Sequence, residues 1–123
     1  MVDKYKAVLA ALEAEMGPVS LFALLKIDDL TDRWSLLVSA PWTSTNEERK
    51  SSFKSLISQL SKHLTEEEAN QVARVGVWPL EDHLVTDLLK FKKGTYIDKP
   101  TPVNGNVVHE GYILESEQPK GHS

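Results

Sequence analysis

The sequence predicts one α+β domain, a two-layer sandwich in which a mixed sheet of about five strands carries helices on one face. Three observations predict it. Apolar residues recur at steps of three and four in two separate stretches. Strand formers gather in several others, and an Asn-Gly pair near the carboxyl end marks a tight hairpin.

The first helical stretch, residues 3–16, places Tyr5, Val8, Leu9, Leu12 and Met16 on one face. Gly17-Pro18 stops it, because glycine accepts the left-handed backbone of a helix cap and proline cannot continue the helix. Residues 19–27 are apolar on both alternating faces, the pattern of a buried strand. After the polar segment Asp28-Asp29-Leu30-Thr31-Asp32, residues 34–40 supply a second strand, and the two read as an antiparallel hairpin. Thr45 and Glu48 have the spacing of a capping box, and Phe53, Leu56, Ile57, Leu60 and Leu64 repeat the helical stripe behind them. Thr65 and Glu68 repeat the box and predict a short helical turn before Val72.

Residues 72–78 form the next strand, with Ala73, Val75 and Val77 on one face and Pro79 ending it. Leu80, Leu84, Val85, Leu88 and Phe91 define a third, short helix closed by Lys92, Lys93 and Gly94. The last unit is a hairpin, residues 95–103 and 106–115, joined by Asn104-Gly105, whose two positive φ angles suit a type I′ turn. Pro100 and Pro102 have no amide to donate, so the first arm belongs at an edge. The expected order is α-β-β-α-β-α-β-β, in a single domain over residues 1–115 with a flexible tail at 116–123 that has nothing to bury.

A helix linking the second strand to the third makes those two strands parallel. Their carboxyl ends then share one edge of the sheet, where open α/β sheets place ligands. Two segments meet there, each with a tryptophan beside a proline: Ser39-Ala40-Pro41-Trp42-Thr43-Ser44-Thr45 and Trp78-Pro79-Leu80-Glu81-Asp82-His83. The expected binding residues are therefore Trp42, Thr43, Thr45, Trp78, Glu81 and His83, in a groove floored by the two indoles. The plainer reading is that both indoles plug the end of the core.

Catalysis has one candidate constellation, His83 with Glu81 or Asp82, since imidazole titrates near neutrality and carboxylates orient it. Neighbours in sequence do not face each other on a helix, however, and Asp87, four residues on, is better placed than Asp82. No catalytic residue is assigned on this evidence. Among His63, His83, His109 and His122 no pair has the i, i+4 spacing of a helical metal site. Asp28, Asp29 and Asp32 lack the central glycine and alternation of a calcium loop and read as turn residues. With no glycine-rich phosphate loop and no nucleophile-elbow serine, neither a metal nor a cofactor is expected.

Composition narrows the function further. The chain has no cysteine, which removes disulfides, thiol nucleophiles and cysteine-held metals, and suits a reducing compartment. The amino end lacks the apolar segment of a signal peptide, and the longest apolar run falls far short of the roughly 30 Å of a bilayer core. The expected location is the cytoplasm, without membrane partners. A net charge of −4 repels polyphosphate, so nucleic acid is not an expected partner. The one basic cluster, Lys90-Phe91-Lys92-Lys93, complements the carbonyl end of a helix. These readings converge on a small, soluble, non-catalytic interaction or regulatory module, adaptor-, immunity- or chaperone-like in size and charge. It binds a peptide or protein through the edge near Trp42 and Trp78. A small hydrolase using His83, and a structural subunit that forms a homodimer or larger homo-oligomer, are the alternatives.

Overall fold

A computed structural model of the chain describes residues 2–28 and 32–117. Within them run α1 (Val2–Met16), β1 (Leu21–Ile27), β2 (Trp34–Ser39), a 3-10 turn (Pro41–Thr43), α2 (Asn46–His63), α3 (Glu66–Ala69) and β3 (Val72–Trp78). They are followed by α4 (His83–Leu88), β4 (Tyr96–Ile97), β5 (Thr101–Val103) and β6 (Asn106–Ser116). The expected tail from residue 118 onward, Asp29 and His122 lie outside the described residues.

Local signals end the elements where the sequence places them. Gly17 takes φ 108° and its amide donates 2.9 Å to the Glu13 carbonyl. The capping box of α2 is reciprocal, with Thr45 Oγ1 accepting from the Glu48 amide and Glu48 Oε1 from the Thr45 amide, both at 3.0 Å. The box at Thr65 and Glu68 starts α3 in the same way. Asn104 and Gly105 both adopt positive φ, 47° and 78°, as a type I′ turn requires.

The fold is an α+β sandwich on a mixed six-stranded open sheet, in the order β3-β2-β1-β6-β4 with β5 also on β6. β1 is antiparallel to β2 and to β6, and β2 is parallel to β3, the consequence of the α2 crossover. The arm expected at residues 95–103 divides into β4 and β5 around Asp98, Lys99 and Pro100, and both pieces pair with β6. Strand β6 runs through Ser116, and the Glu117 amide still donates to the Ser20 carbonyl.

Apolar residues on both faces of β1 demand cover on both. Phe22 and Leu24 face Tyr5, Val8 and Leu12 of α1 and Leu56 and Leu60 of α2, together with Leu36 and Val38 of β2. Leu21, Ala23 and Leu25 pack on the other side with Leu37, Val108 and Ile113 against Val85, Leu88 and Leu89. The two long helices thus share one face, as expected, whereas the short α4 lies across the opposite one. Its apolar residues reach Leu37 of β2, and β3 contributes nothing to that second cluster.

Candidate functional site

Among the described residues strand β3 pairs only with β2, leaving its other side as an open edge of the sheet. No residue of β3 is fully buried. Val72, Val75 and Val77 turn toward the helix side of the sheet, and the intervening Arg74, Gly76 and Trp78 turn the other way. Trp78 is 38% exposed, and its indole lies back against Gly76: a Cβ on Gly76 would stand 2.7 Å from Trp78 Nε1. Glycine in this strand therefore marks a close approach.

Above the same edge, α2 presents an apolar flank. Its Ser55 and Gln59 donate to the Glu15 carboxylate of α1, at 2.9 and 3.3 Å, which fixes the side that meets α1. Phe53 and Ile57 lie on the side away from it, 39% and 38% exposed. Ile57 also lines a cavity of about 210 Å³ with Val72 and Val75 of β3. Large side chains are thus exposed on both faces of one open edge. At the opposite edge the backbone is interrupted between β4 and β5, and Pro100 and Pro102 withhold amides, the usual protection against strand pairing.

Beneath β3, on the α4 side of the sheet, lies a cleft of about 680 Å³. Ser35 and Leu37 of β2 floor it, and Arg74, Gly76 and Trp78 of β3 border it. Asp82 and Leu84 at the start of α4 and Asn104 and Asn106 at the last turn face it from the other side. The six-residue α4 packs under β1 and β2, and the cleft lies between its start and β3.

The residues expected from sequence fall in separate places. Trp42 is half-buried, its indole N–H donating to the carbonyls of Gly17 and Pro18 at 3.3 and 3.0 Å, and it borders a small cavity with Met16, Glu47 and Glu48. It closes the gap between the end of α1 and the start of α2. Trp78 borders the larger cleft instead, so the two indoles line different cavities. Thr43 is buried, its hydroxyl 2.7 Å from the Ala40 carbonyl and 2.8 Å from that of Trp78. With Ser39 Oγ, which donates 2.7 Å to the same Trp78 carbonyl, it pins the end of β3. Thr45 is spent on the α2 cap.

Asp82 caps α4, accepting from the amides of Leu84 at 2.9 Å and Val85 at 3.4 Å, and is the one member of the acidic-histidine segment that borders the cleft. Glu81 and His83 are exposed and border none of these cavities. Among the described residues no cluster of three histidine or acidic side chains could hold a metal ion, and no helix is long and apolar enough to cross a membrane. The three most perturbed ionisable groups also lie off the cleft. Burial pushes Tyr5 up to about 12, the Lys4 ammonium holds Glu68 down to about 2, and a bond to Glu110 raises Tyr96 to about 12.

Sequence reasoning missed Ser35, Arg74, Gly76, Phe53 and Ile57 as parts of this region. One signal was present: a glycine two residues before a tryptophan inside a strand, which places a bare backbone beside a large ring. No protein family, curated protein or solved structure matches the chain.

Proposed function

We propose that the protein is a non-catalytic interaction module that takes an extended segment of a partner protein as an added strand along β3. Main-chain hydrogen bonds supply affinity in that mode, and side-chain pockets on the two faces supply selectivity. The observation that carries the reading is the open β3 edge with exposed Trp78 on one face and Phe53 and Ile57 on the other, while the far edge is broken and contains Pro100 and Pro102. Aromatic and large aliphatic groups of this kind are the usual anchors of an interface. A cytoplasmic setting fits the absence of cysteine, which leaves no thiol to be oxidised or cross-linked. The hydrolase alternative lacks comparable support, because Asp82 caps a helix and His83 and Glu81 border none of the three cavities described above.

Peptides selected on the immobilised protein provide the test, followed by hydrogen exchange of the complex. Protection should appear at the amides of residues 72–78 and weaken in Trp78→Ala and Ile57→Lys. Peptides that bind while leaving those amides unprotected, or that bind both variants unchanged, sink the reading.

A further inference from the structure

We infer that the cleft beneath β3 receives an aromatic ring with a neutral hydrogen-bonding tip, a phenol being the simplest, its ring against Trp78 and its hydroxyl on Ser35 Oγ. Ser35 is 3% exposed, and among the described residues its Oγ has no hydrogen-bond partner. Buried hydroxyls are almost always partnered, and Ser39, on the same face of the same strand, follows that rule by donating to the Trp78 carbonyl. Ser35 breaks the rule where β2 floors an open cleft.

The geometry suits a ring. Trp78 pairs with Ser39, Gly76 with Leu37 and Arg74 with Ser35, so these rows step along the cleft. Trp78 does not stand upright over its own row but lies back over Gly76. From the Gly76 row to the Ser35 row is two residues, about 7 Å of strand, with Leu37 as the apolar floor between. A phenol laid edge-on or offset against the indole spans that interval and brings its oxygen over the Ser35 row, where Ser35 Oγ, itself closed to solvent, is met once the neighbouring side chains give way. The volume, about 680 Å³, lies within the roughly 300–1,000 Å³ typical of ligand sites and leaves room for the backbone that carries the ring.

Charge selects the tip. Asp28 and Asp82 border the cleft against the single guanidinium of Arg74, on a chain of net charge −4, and this excess of negative charge disfavours a carboxylate or phosphate. A cation driven to the depth of Ser35 fares no better. That hydroxyl sits beside Leu25 on the neighbouring strand and Leu37 on its own, and an ion buried there without a partner is strongly disfavoured. A neutral group that both donates and accepts satisfies Ser35 at least cost.

The ring can come from a tyrosine of the added strand or from a free phenolic molecule. The inference rests on the strand-addition reading for the first source alone. Both sources are tested by titrating the full-length protein, followed by amide NMR, with N-acetyl-tyrosinamide, N-acetyl-phenylalaninamide, N-acetyl-lysinamide and capped pentapeptides centred on tyrosine, phenylalanine or alanine. The tyrosine probe should give saturable shifts at Ser35, Leu37, Gly76 and Trp78 and bind about fivefold more tightly than the phenylalanine probe, the worth of one hydrogen bond. Ser35→Ala should erase that preference and leave the phenylalanine affinity unchanged, while Trp78→Ala should abolish binding of both. Equal binding of the two aromatic probes to wild type, shifts elsewhere, or preference for the lysine probe overturns the inference. If the tyrosine probe binds and no peptide binds more tightly, the cleft stands and strand addition falls. If peptides bind β3 with no regard to the central residue, strand addition stands and the cleft inference falls.

Discussion

Ser35 loses water on folding and gains no hydrogen bond in return, so its hydroxyl is a cost to the native state. Ser35→Ala is expected to stabilise the protein by about 1 kcal/mol, seen as a higher urea midpoint at unchanged slope. Two glycines give an opposed pair of expectations. At Gly111 an added Cβ meets Leu25 Cδ2 at 2.8 Å inside the core, so Gly111→Ala should lose about 1–3 kcal/mol of stability. At Gly76 the clash is with an exposed indole that is free to swing outward. Gly76→Ala should therefore leave stability within about 1 kcal/mol while acrylamide quenches Trp78 fluorescence more efficiently. An equal loss of stability at both positions would refute the placement of the indole. Single residues also show how far the sequence was legible. Trp42 and Trp78 each stand beside a proline at the end of a β-strand or just after it, and nothing local separates the one that plugs from the one that is displayed. The difference comes from which side of the sheet each faces and from the Gly17 and Pro18 carbonyls that meet Trp42, partners about 25 residues away in the chain.

At the level of elements, caps and stripes were readable because they are local. Gly17-Pro18, the two threonine-glutamate boxes and the Asn104-Gly105 turn all act within four residues of themselves. The side of the sheet taken by α4 was not readable, since β1 is apolar on both faces and does not say which helix covers which. Glu68 shows an element tied to a distant one: it caps α3 and also accepts from Lys4 of α1 at 2.6 Å. Its carboxyl is held near 2 chiefly by the Lys4 ammonium and next by the Thr65 amide, against an ordinary value of 4.5. A folded value below the unfolded one means that the native state keeps this carboxylate ionised where the unfolded chain has already taken up a proton. The associated stability is present above pH 4.5 and is lost as pH falls from there toward 2. Melting temperature measured across that window should fall less steeply in Glu68→Gln than in wild type, since glutamine keeps the cap but does not titrate. Tyr5 works in the other direction. Its burial, followed by the nearby Glu68 charge, raises it from 10.0 to about 12, so the stability it contributes is lost as pH climbs through that interval.

For the molecule as a whole, the parallel pairing of β2 and β3 followed from the helical crossover, but the sheet order did not follow from sequence. The insertion of β6 beside β1, about 80–95 residues away in the chain, sends β3 to the outside. The candidate site is a product of that order, which is why no motif announced it. An open strand edge with apolar flanks also invites pairing between copies of the same chain, and charge argues against that outcome. Two copies each carrying −4 repel as they approach, and antiparallel pairing of two β3 strands would bring their whole-molecule fields together. Light scattering at low ionic strength should give the monomer mass, 13.8 kDa, at all concentrations. Raising the salt screens exposed charges beyond a Debye length of about 10 Å at 0.1 M. If self-pairing is suppressed by charge alone, the mass should rise with protein concentration under those conditions, and Ile57→Lys should return it to the monomer value while changing stability by no more than about 0.5 kcal/mol. A dimer that persists at low salt and survives Ile57→Lys would place the self-interface elsewhere and leave β3 free, whereas a dimer that persists at low salt and that Ile57→Lys abolishes would make a second copy, not a foreign segment, the occupant of the edge.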